Sequence, residues 1–297
     1  MPARAPYADL HMHSTASDGA LEPEALVETA AGLGIRALAL TDHDTVRGVA
    51  RAQQAGRDRG VEVITGCELT AYVGDVELHL LAYFFSLDPA NALLKLLEAF
   101  RARRRARALE MGARLRAAGV QVADRDILEA AGTADSIGQP HVAMALVNRG
   151  HAPNVDTAIR QYLREGRPGH VAKLQLSPQE VIRAVHDSGG LALLAHPGLE
   201  PHDELIAPLF LAGLDGLEAH YPAHAEPIRR FYAALARRHG LVVCGGSDFH
   251  GKPFKPDVLI GAAGLTRAEL RELRRRAADT QLTVRPRPRP APPVRPP

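Results

Sequence analysis

Short apolar runs of strand length alternate with longer amphipathic stretches over the first third of the chain. Tyr7 to Leu10, Ile35 to Thr41 (IRALALT), Val61 to Cys67 and Val76 to Phe84 (VELHLLAYF) predict four strands. Pro23 to Gly34 predicts a helix, with proline in its first turn and glycine at its end, and a second helix spans about Thr45 to Arg59. From Pro89 to about Asp187 the pattern turns helical, with one long helix from Asn91 to Ala118 and shorter ones over Pro140–Arg149, Val155–Leu163 and Pro178–Ser188. That block is too long for a loop and reads as an insertion over the mouth of the fold. Alternation then resumes with strands at Leu191–Ala195, Leu214–Ala219 and Leu241–Cys244, and helices at Ala225–Arg238 and Arg267–Ala278. Seven strands predict an α/β chain, a distorted seven-stranded (β/α)7 barrel. Residues 1–88 and 189–283 form the barrel, and 89–188 a helical insertion that caps the substrate. Residues 284–297 (VRPRPRPAPPVRPP) are half proline and predict a disordered tail.

Composition sharpens this in a few places. A length of 297 residues suits one large domain or a domain with an insertion. At 46% hydrophobic and 24% charged the balance is that of a soluble globular protein. With 4% aromatics and no Trp, the core must be built from Leu, Val, Ile and Ala. A net charge of +2 does not single out nucleic acid as a partner. Cys67 and Cys244 belong to no CxxC pair and read as reduced, buried thiols. The N-terminus lacks the apolar stretch of a signal peptide, and no run approaches the roughly 18 apolar residues of a membrane span. A cytoplasmic chain with no membrane association and no obligate protein partner is expected.

The chemistry lies just after the apolar runs. His11 and His13, Asp18, His43, Glu68, His79, His196, Asp248 and His250 are six imidazoles and three carboxylates of the kind that divalent zinc, manganese or iron accept. Barrels concentrate their chemistry in this way, at the strand ends of one mouth. In extended chain His11 and His13 point to the same side and can share an ion. Taken singly, several of these have blander readings: His79 as a satisfied core histidine, His196 as a turn residue. Asp42 and Asp44 read as a turn or helix cap. Glu218 and His220 could stand behind the ligands; His151, His170, His186, His202, His224 and His239 read as surface or structural. The joint pattern, an acid or histidine after nearly every strand, points to a multinuclear metal hydrolase.

The segments DLHMHSTASDG, LTDHDT, GCEL, HLLAY, AHPG and GSDFHG, in this order, resemble the polymerase-and-histidinol-phosphatase (PHP) family of metal-dependent phosphoesterases. The layout is most similar to its TrpH/YciV subgroup, which contains nucleoside 3′,5′-bisphosphate phosphatases and a 5′-3′ exoribonuclease. The resemblance implies a distorted (β/α)7 barrel holding up to three divalent ions. His11, His13, Glu68 and Asp248 would hold the first; Glu68, His79 and His196 the second; Asp18, His43 and His250 the third. A carboxylate at Asp18, where some members carry His, favours a harder ion, so manganese leads over zinc or iron.

Closely spaced ions suit direct attack of water on a phosphate ester, and no covalent nucleophile motif is present. His43 or Asp18 would protonate the leaving alkoxide. Arg101, Arg103, Arg104, Arg105 and Arg107 crowd the long helix in two stripes, Arg101/Arg104/Arg105 and Arg103/Arg107. The resemblance singles out Arg104 and Arg107 as a pair that binds substrate phosphate. It also makes Gln139, where the subgroup commonly has Arg, and His141 substrate contacts at a helix N-terminus. The expected activity is a nucleoside 3′,5′-bisphosphate 3′-phosphatase, a 5′-3′ exoribonuclease on short RNA, or both. A histidinol-phosphate-type phosphatase and a non-catalytic metal-binding module are the alternatives.

Overall fold

A computed structural model describes residues 5–172, 176–199 and 201–283; the proline- and arginine-rich tail at 284–297 lies outside them. Its seven strands are β1 (Ala8–Asp9), β2 (Ala37–Leu40), β3 (Glu62–Val73), β4 (Val76–Tyr83), β5 (Leu191–Leu194), β6 (Gly216–His220) and β7 (Val242–Gly245). They form one sheet in sequence order. The chain beyond β7 runs beside the chain beyond β1: Leu10 N–H donates to Gly245 at 3.2 Å, and Asp248 N–H to His11 at 2.7 Å. The sheet is thereby nearly closed into a barrel.

One strand runs against the others. β4 is antiparallel to both β3 and β5. Only Gly74 and Asp75 separate β3 from β4, and two residues cannot make the crossover that parallel strands require. His79 lies within the predicted fourth strand, as an inward residue along β4 opposite Thr70.

Alternation along the strands decides what faces the barrel interior. Ala37 and Ala39, Ile64, Leu81 and Tyr83, and Leu191 and Leu193 belong to one inner cluster. Their neighbours Leu80, Ala82, Ala192 and Leu194 face outward into another. Helix α10 (Arg267–Thr283) packs Leu270 and Leu273 on the inner cluster. Glu68, His79 and Glu218 lie on this inward parity, toward the mouth. The other barrel helices are α1 (Pro23–Gly32), α2 (Val49–Arg59), α7 (Pro178–Asp187), α8 (Ile206–Leu211) and α9 (Glu226–Arg238). α7 starts at a capping box in which Ser177 and Glu180 satisfy each other's backbone N–H groups, with proline at the first helical position.

Between β4 and α7 lie α3 (Ala92–Ala117), α4 (Asp124–Ala131), α5 (Gln139–Asn148) and α6 (Val155–Ala158), the last running on into a π-helical turn at Ile159–Leu163. Met111, Leu115, Ile127, Val142, Leu146 and Leu163 share a separate hydrophobic core here. That core is smaller than the 89–188 block. Leu93 and Leu97 at the start of α3, and Val181, Ile182 and Val185 of α7, pack into the barrel instead. Helices α4 and α8 are additions to the elements expected from sequence; both are short, at 8 and 6 residues. Helix α2 starts later than expected, because 45–48 is taken up by the turn that carries the site.

α10 opens on another reciprocal cap. Thr266 N–H donates to Glu269 at 2.8 Å, and His220 Nε2 lies 2.8 Å from the other carboxylate oxygen. Partial burial would raise the Glu269 carboxyl, but His220 and Thr266 outweigh it and bring its pKa down to about 2. A carboxyl depressed in the fold contributes stability above its unfolded value of 4.5, and loses it as pH falls toward about 2. Glu269→Gln is therefore expected to lower the thermal midpoint at pH 7. The gap from the parent should close between pH 4.5 and 2, as thermal melts across that range would read.

Candidate metal centre

The structure brings all nine candidate ligands together. Glu68, inward on β3 and 1% exposed, is the hub. Its Oε2 lies 3.3 Å from His11 Nε2, 3.1 Å from His13 Nε2 and 3.3 Å from His43 Nδ1. Its Oε1 lies 2.9 Å from His79 Nδ1 and 3.2 Å from His196 Nε2. Asp248 Oδ1 is 3.5 Å from His11 Nε2 and 3.4 Å from His13 Nε2. Asp18 approaches His13 at 3.7 Å, His250 at 3.5 Å and His43 at 3.9 Å.

These atoms converge in three overlapping groups: His11, His13 and Asp248; His43, Glu68 and His79; and His13, Asp18, His43 and His250. The last matches the expected third set, with His13 added. His43 joins two groups. His196 is in none, although it touches Glu68.

The residues fit divalent cations on a specific observation. Although carboxylate oxygens stand close to several of them, buried His11 Nε2, both ring nitrogens of His13, His43 Nδ1, His79 Nδ1 and Asp18 Oδ1 have no partner in hydrogen-bonding geometry among the described residues. Polar atoms left so in a core cost free energy unless something else satisfies them. Their lone pairs converge, and imidazole and carboxylate are the donors that zinc, manganese and iron share. Burial pushes Glu68 and Asp248 up, but the surrounding imidazoles outweigh it and hold both carboxyls well below the usual range. His43, His250 and His13 do the same for Asp18.

Other side chains aim the ligands. Glu218 Oε1 lies 3.0 Å from His11 Nδ1, leaving Nε2 for the cluster, and Glu218 Oε2 accepts the His196 N–H at 2.8 Å. Glu77 stands 3.3 Å from His79 Nε2 in the same way. Such carboxylate–histidine pairs fix the ring tautomer and raise ligand basicity. Tyr221 donates to Asp248 Oδ2 at 2.8 Å, and Lys255 pairs with the same oxygen. Glu77 and Lys255 carry no signal in the sequence that would single them out. Gly246 lets the β7 loop press on the first strand's extension, because a Cβ there would lie 2.2 Å from the His11 nitrogen. His196 and Asp248 both carry positive φ, at 27° and 52°, a backbone strain that persists only where surroundings over-determine it.

Two acids do more than the turn or helix cap expected of them; Asp44 does lie in a turn. Asp42 accepts from Ser14 N–H at 2.7 Å, Ser14 Oγ at 2.8 Å and Ser17 Oγ at 2.7 Å, clamping the His-x-His loop. Asp44, at φ 54°, accepts from Arg104 Nη1 at 2.5 Å.

The candidate substrate residues divide. Arg103, Arg104 and Arg107 line one cavity of about 580 Å³ with Asp18, His43 and His79, so the two expected arginine stripes meet in one place. Gln139 is at its wall and donates to Leu163 at 3.3 Å. His141 is not a wall residue: it is 3% exposed, its Nδ1 accepts from Gly138 N–H at 3.0 Å, and its Nε2 faces the Ser17 carbonyl at 3.0 Å. Through these two contacts it ties the insertion to the His-x-His loop. Arg101 pairs with Asp135 at 2.8 Å.

The PHP domain family matches residues 9–172. The chain belongs to the PHP family. A 3′,5′-nucleoside bisphosphate phosphatase of Chromobacterium violaceum is 35% identical over 248 residues, covering 82% of this chain and 86% of its own. A 5′-3′ exoribonuclease of Escherichia coli is 33% identical over 250 residues, covering 82% and 84%. A phosphoribosyl 1,2-cyclic phosphate 1,2-diphosphodiesterase of Eggerthella lenta is 35% identical over 251 residues, covering 82% and 94%. Among solved structures, an amidohydrolase of C. violaceum with bound sulfate superposes with TM-score 0.79 at 33% identity, covering 91% of this chain and 96% of that one. This PHP chain is a metal-dependent hydrolase of phosphate esters, and its nearly closed seven-stranded barrel is the PHP fold. Among the described residues no helix is long and apolar enough to cross a membrane.

Glu218→Gln keeps the shape but removes the charge behind His11. Metal affinity or activity of this PHP enzyme should fall by about 10–100-fold with the thermal midpoint retained. Metal content and turnover at limiting metal would read it.

Proposed function

We propose that this enzyme hydrolyses the ester between phosphate and the 3′ oxygen of nucleotides that also carry a 5′-phosphate. Its substrates are nucleoside 3′,5′-bisphosphates, short 5′-phosphorylated RNA trimmed from the 5′ end, or both, with manganese as the working ion. The observation that carries this is the single cavity shared by Asp18, His43 and His79 of the metal cluster and Arg103, Arg104 and Arg107 of α3. A substrate with two phosphates can place one at each end. Its volume, about 580 Å³, lies within the range of small-molecule sites. Phe100, Val171 and Ala172 supply apolar wall between the ends for a nucleoside.

Divalent ions bound by the nine residues would make water nucleophilic near neutral pH and offset charge on the attacking and leaving oxygens. The chain's own part is positioning. Asp44 fixes one nitrogen of Arg104, whose Nε is buried without a partner, and Arg107 Nε donates to Val171 at 2.9 Å. Both guanidiniums are thus oriented before substrate arrives, which spares ordering entropy on binding. Asp18 and His43 sit within the ligand groups. We assign them to holding the ions, not to protonating the leaving alkoxide.

A histidinol-phosphate-type phosphatase, with one phosphate, would have no use for the arginine end. Turnover with manganese of adenosine 3′,5′-bisphosphate, 5′-phosphorylated short RNA, histidinol phosphate and an aryl phosphate tests the reading. A preference for the first two is expected, and equal turnover of all four would sink it.

A further inference from the structure

The three carboxylates of the candidate ligand set use their oxygens differently. Glu68 turns both to candidate imidazoles, Oε2 toward His11, His13 and His43 and Oε1 toward His79 and His196. Asp18 faces His13, His43 and His250. Asp248 is divided. Its Oδ1 lies 3.5 Å from His11 Nε2, 3.4 Å from His13 Nε2 and 3.3 Å from His250 Nδ1. Its Oδ2 accepts from the Tyr221 hydroxyl at 2.8 Å and pairs with the Lys255 ammonium, and neither of these is a candidate ligand. Both donors are held from outside the cluster. Tyr221 follows β6, is 6% exposed, and its ring lies 5.5 Å from that of His196 and 5.2 Å from that of His224, centroid to centroid. Lys255 returns to Asp248 through a turn, in which its N–H donates to the Gly251 carbonyl at 2.9 Å and Gly251 takes φ 75°. Neighbouring Phe254 packs on the core of the insertion, which pins this turn to the cap.

A carboxylate can hold a divalent ion with one oxygen or with two. Two donors on Oδ2 occupy its lone pairs and draw off negative charge, which leaves Oδ1 as the oxygen Asp248 can offer. We propose that Tyr221 and Lys255 are positioning residues that restrict Asp248 to one-oxygen ligation of an ion shared with His11 and His13, and so keep a position on that ion free for the reaction. Catalytic metal sites depend on such an open position, whereas structural ones are closed. The inference goes beyond the substrate reading above and does not depend on it, because it concerns any phosphate ester hydrolysed at this centre. It also carries a sign that an ordinary orienting contact lacks. Glu218 stands behind His11 and makes that ring a better ligand, so its loss weakens metal binding. Tyr221 and Lys255 donate to Asp248 and make it a poorer one, so their loss should tighten metal binding while slowing turnover. Lys255 adds to this by placing a positive charge beside the ion.

The test compares the parent, loaded with manganese or in parallel with zinc, with Tyr221→Phe, Lys255→Met and the double variant. Each substitution keeps the apolar bulk of the side chain and removes the donor. Two quantities are read: the rate at which a chelator strips the metal, and kcat on an aryl phosphate, a substrate that does not reach the arginines. Metal release from the double variant should slow by about tenfold or more, and kcat should fall by a similar factor. Tyr221→Phe leaves the net charge unchanged and should move both in the same directions by a smaller factor. It also carries the test if the double variant does not fold. Unchanged or faster release in these variants would overturn the proposal, since that is what an orienting contact predicts. Slower release in Lys255→Met with no change in Tyr221→Phe overturns it in favour of charge alone. Slower release with kcat unchanged overturns it as well, because no position needed by the reaction was then closed. None of these outcomes touches the preference for bisphosphates, which is read on other substrates.

Discussion

Glu68→Gln should abolish turnover, with kcat down at least about a thousandfold, or ~4 kcal/mol of transition-state stabilisation. Among the described residues, Glu68 is the one carboxylate that approaches five of the six candidate imidazoles, those of His11, His13, His43, His79 and His196, at 2.9–3.3 Å. Gln has the same volume, so the β3–β4 pairing that carries it should survive. What changes is the charge, and the second oxygen becomes an N–H donor aimed at ring nitrogens that themselves lack partners. A neutral amide would be a poorer ligand for divalent cations than the carboxylate it replaces. Elemental analysis should accordingly find fewer ions per chain, and the metal-dependent rise in thermal midpoint should shrink. A folded variant that keeps its full metal load and turns over within tenfold of the parent would remove Glu68 from the centre of the site.

The barrel and the residues that gather at its mouth were legible because both follow from short-range rules. Strand runs such as IRALALT are bounded by polar turns, and alternation puts Glu68 and His79 inward without further information. The reversal of β4 was also written locally, in the two-residue Gly74-Asp75 link, but that link is easily passed over beside a barrel expectation. Other features depend on contacts between distant segments. Nothing near Asp42 indicates that its carboxylate clamps Ser14 and Ser17, and nothing near His141 indicates that its ring reaches Ser17. Glu77 and Lys255 matter only through the ligands that the fold sets beside them. Helix α3 lies between these cases. Its buried positions Leu93, Leu97, Phe100, Ala108, Met111 and Leu115 form one stripe, and Arg104 falls on that stripe between Phe100 and Ala108. A cation in the middle of an apolar face is readable from spacing alone, once the arginine stripes are laid against the apolar one.

That stripe position underlies the other large effect. Arg104 sits where α3 crosses from the barrel core to the insertion's own core, so its side chain is directed inward and only 20% exposed. Gly138 makes room for it, since a Cβ there would lie 2.3 Å from Arg104 Nη2. Arg107 follows one turn later, and burial lowers its guanidinium pKa from the usual value without removing the charge. Each charge-assisted contact to phosphate contributes about 1.5–3 kcal/mol. Replacing both arginines with Ala should therefore lower kcat/KM for a nucleoside 3′,5′-bisphosphate by about 10²–10⁴-fold, mostly through KM, because their phosphate is not the one that reacts. An aryl phosphate, which does not reach α3, should change by only a few-fold. The Asp44 carboxylate complicates the readout, since losing Arg104 leaves it buried and unpaired. Arg104→Lys controls for this by keeping a cation near Asp44 while giving up the fork geometry. It should recover stability but only part of the selectivity for the bisphosphate. If the double Ala variant instead loses both substrates in equal measure, the arginines support the fold and not the second phosphate.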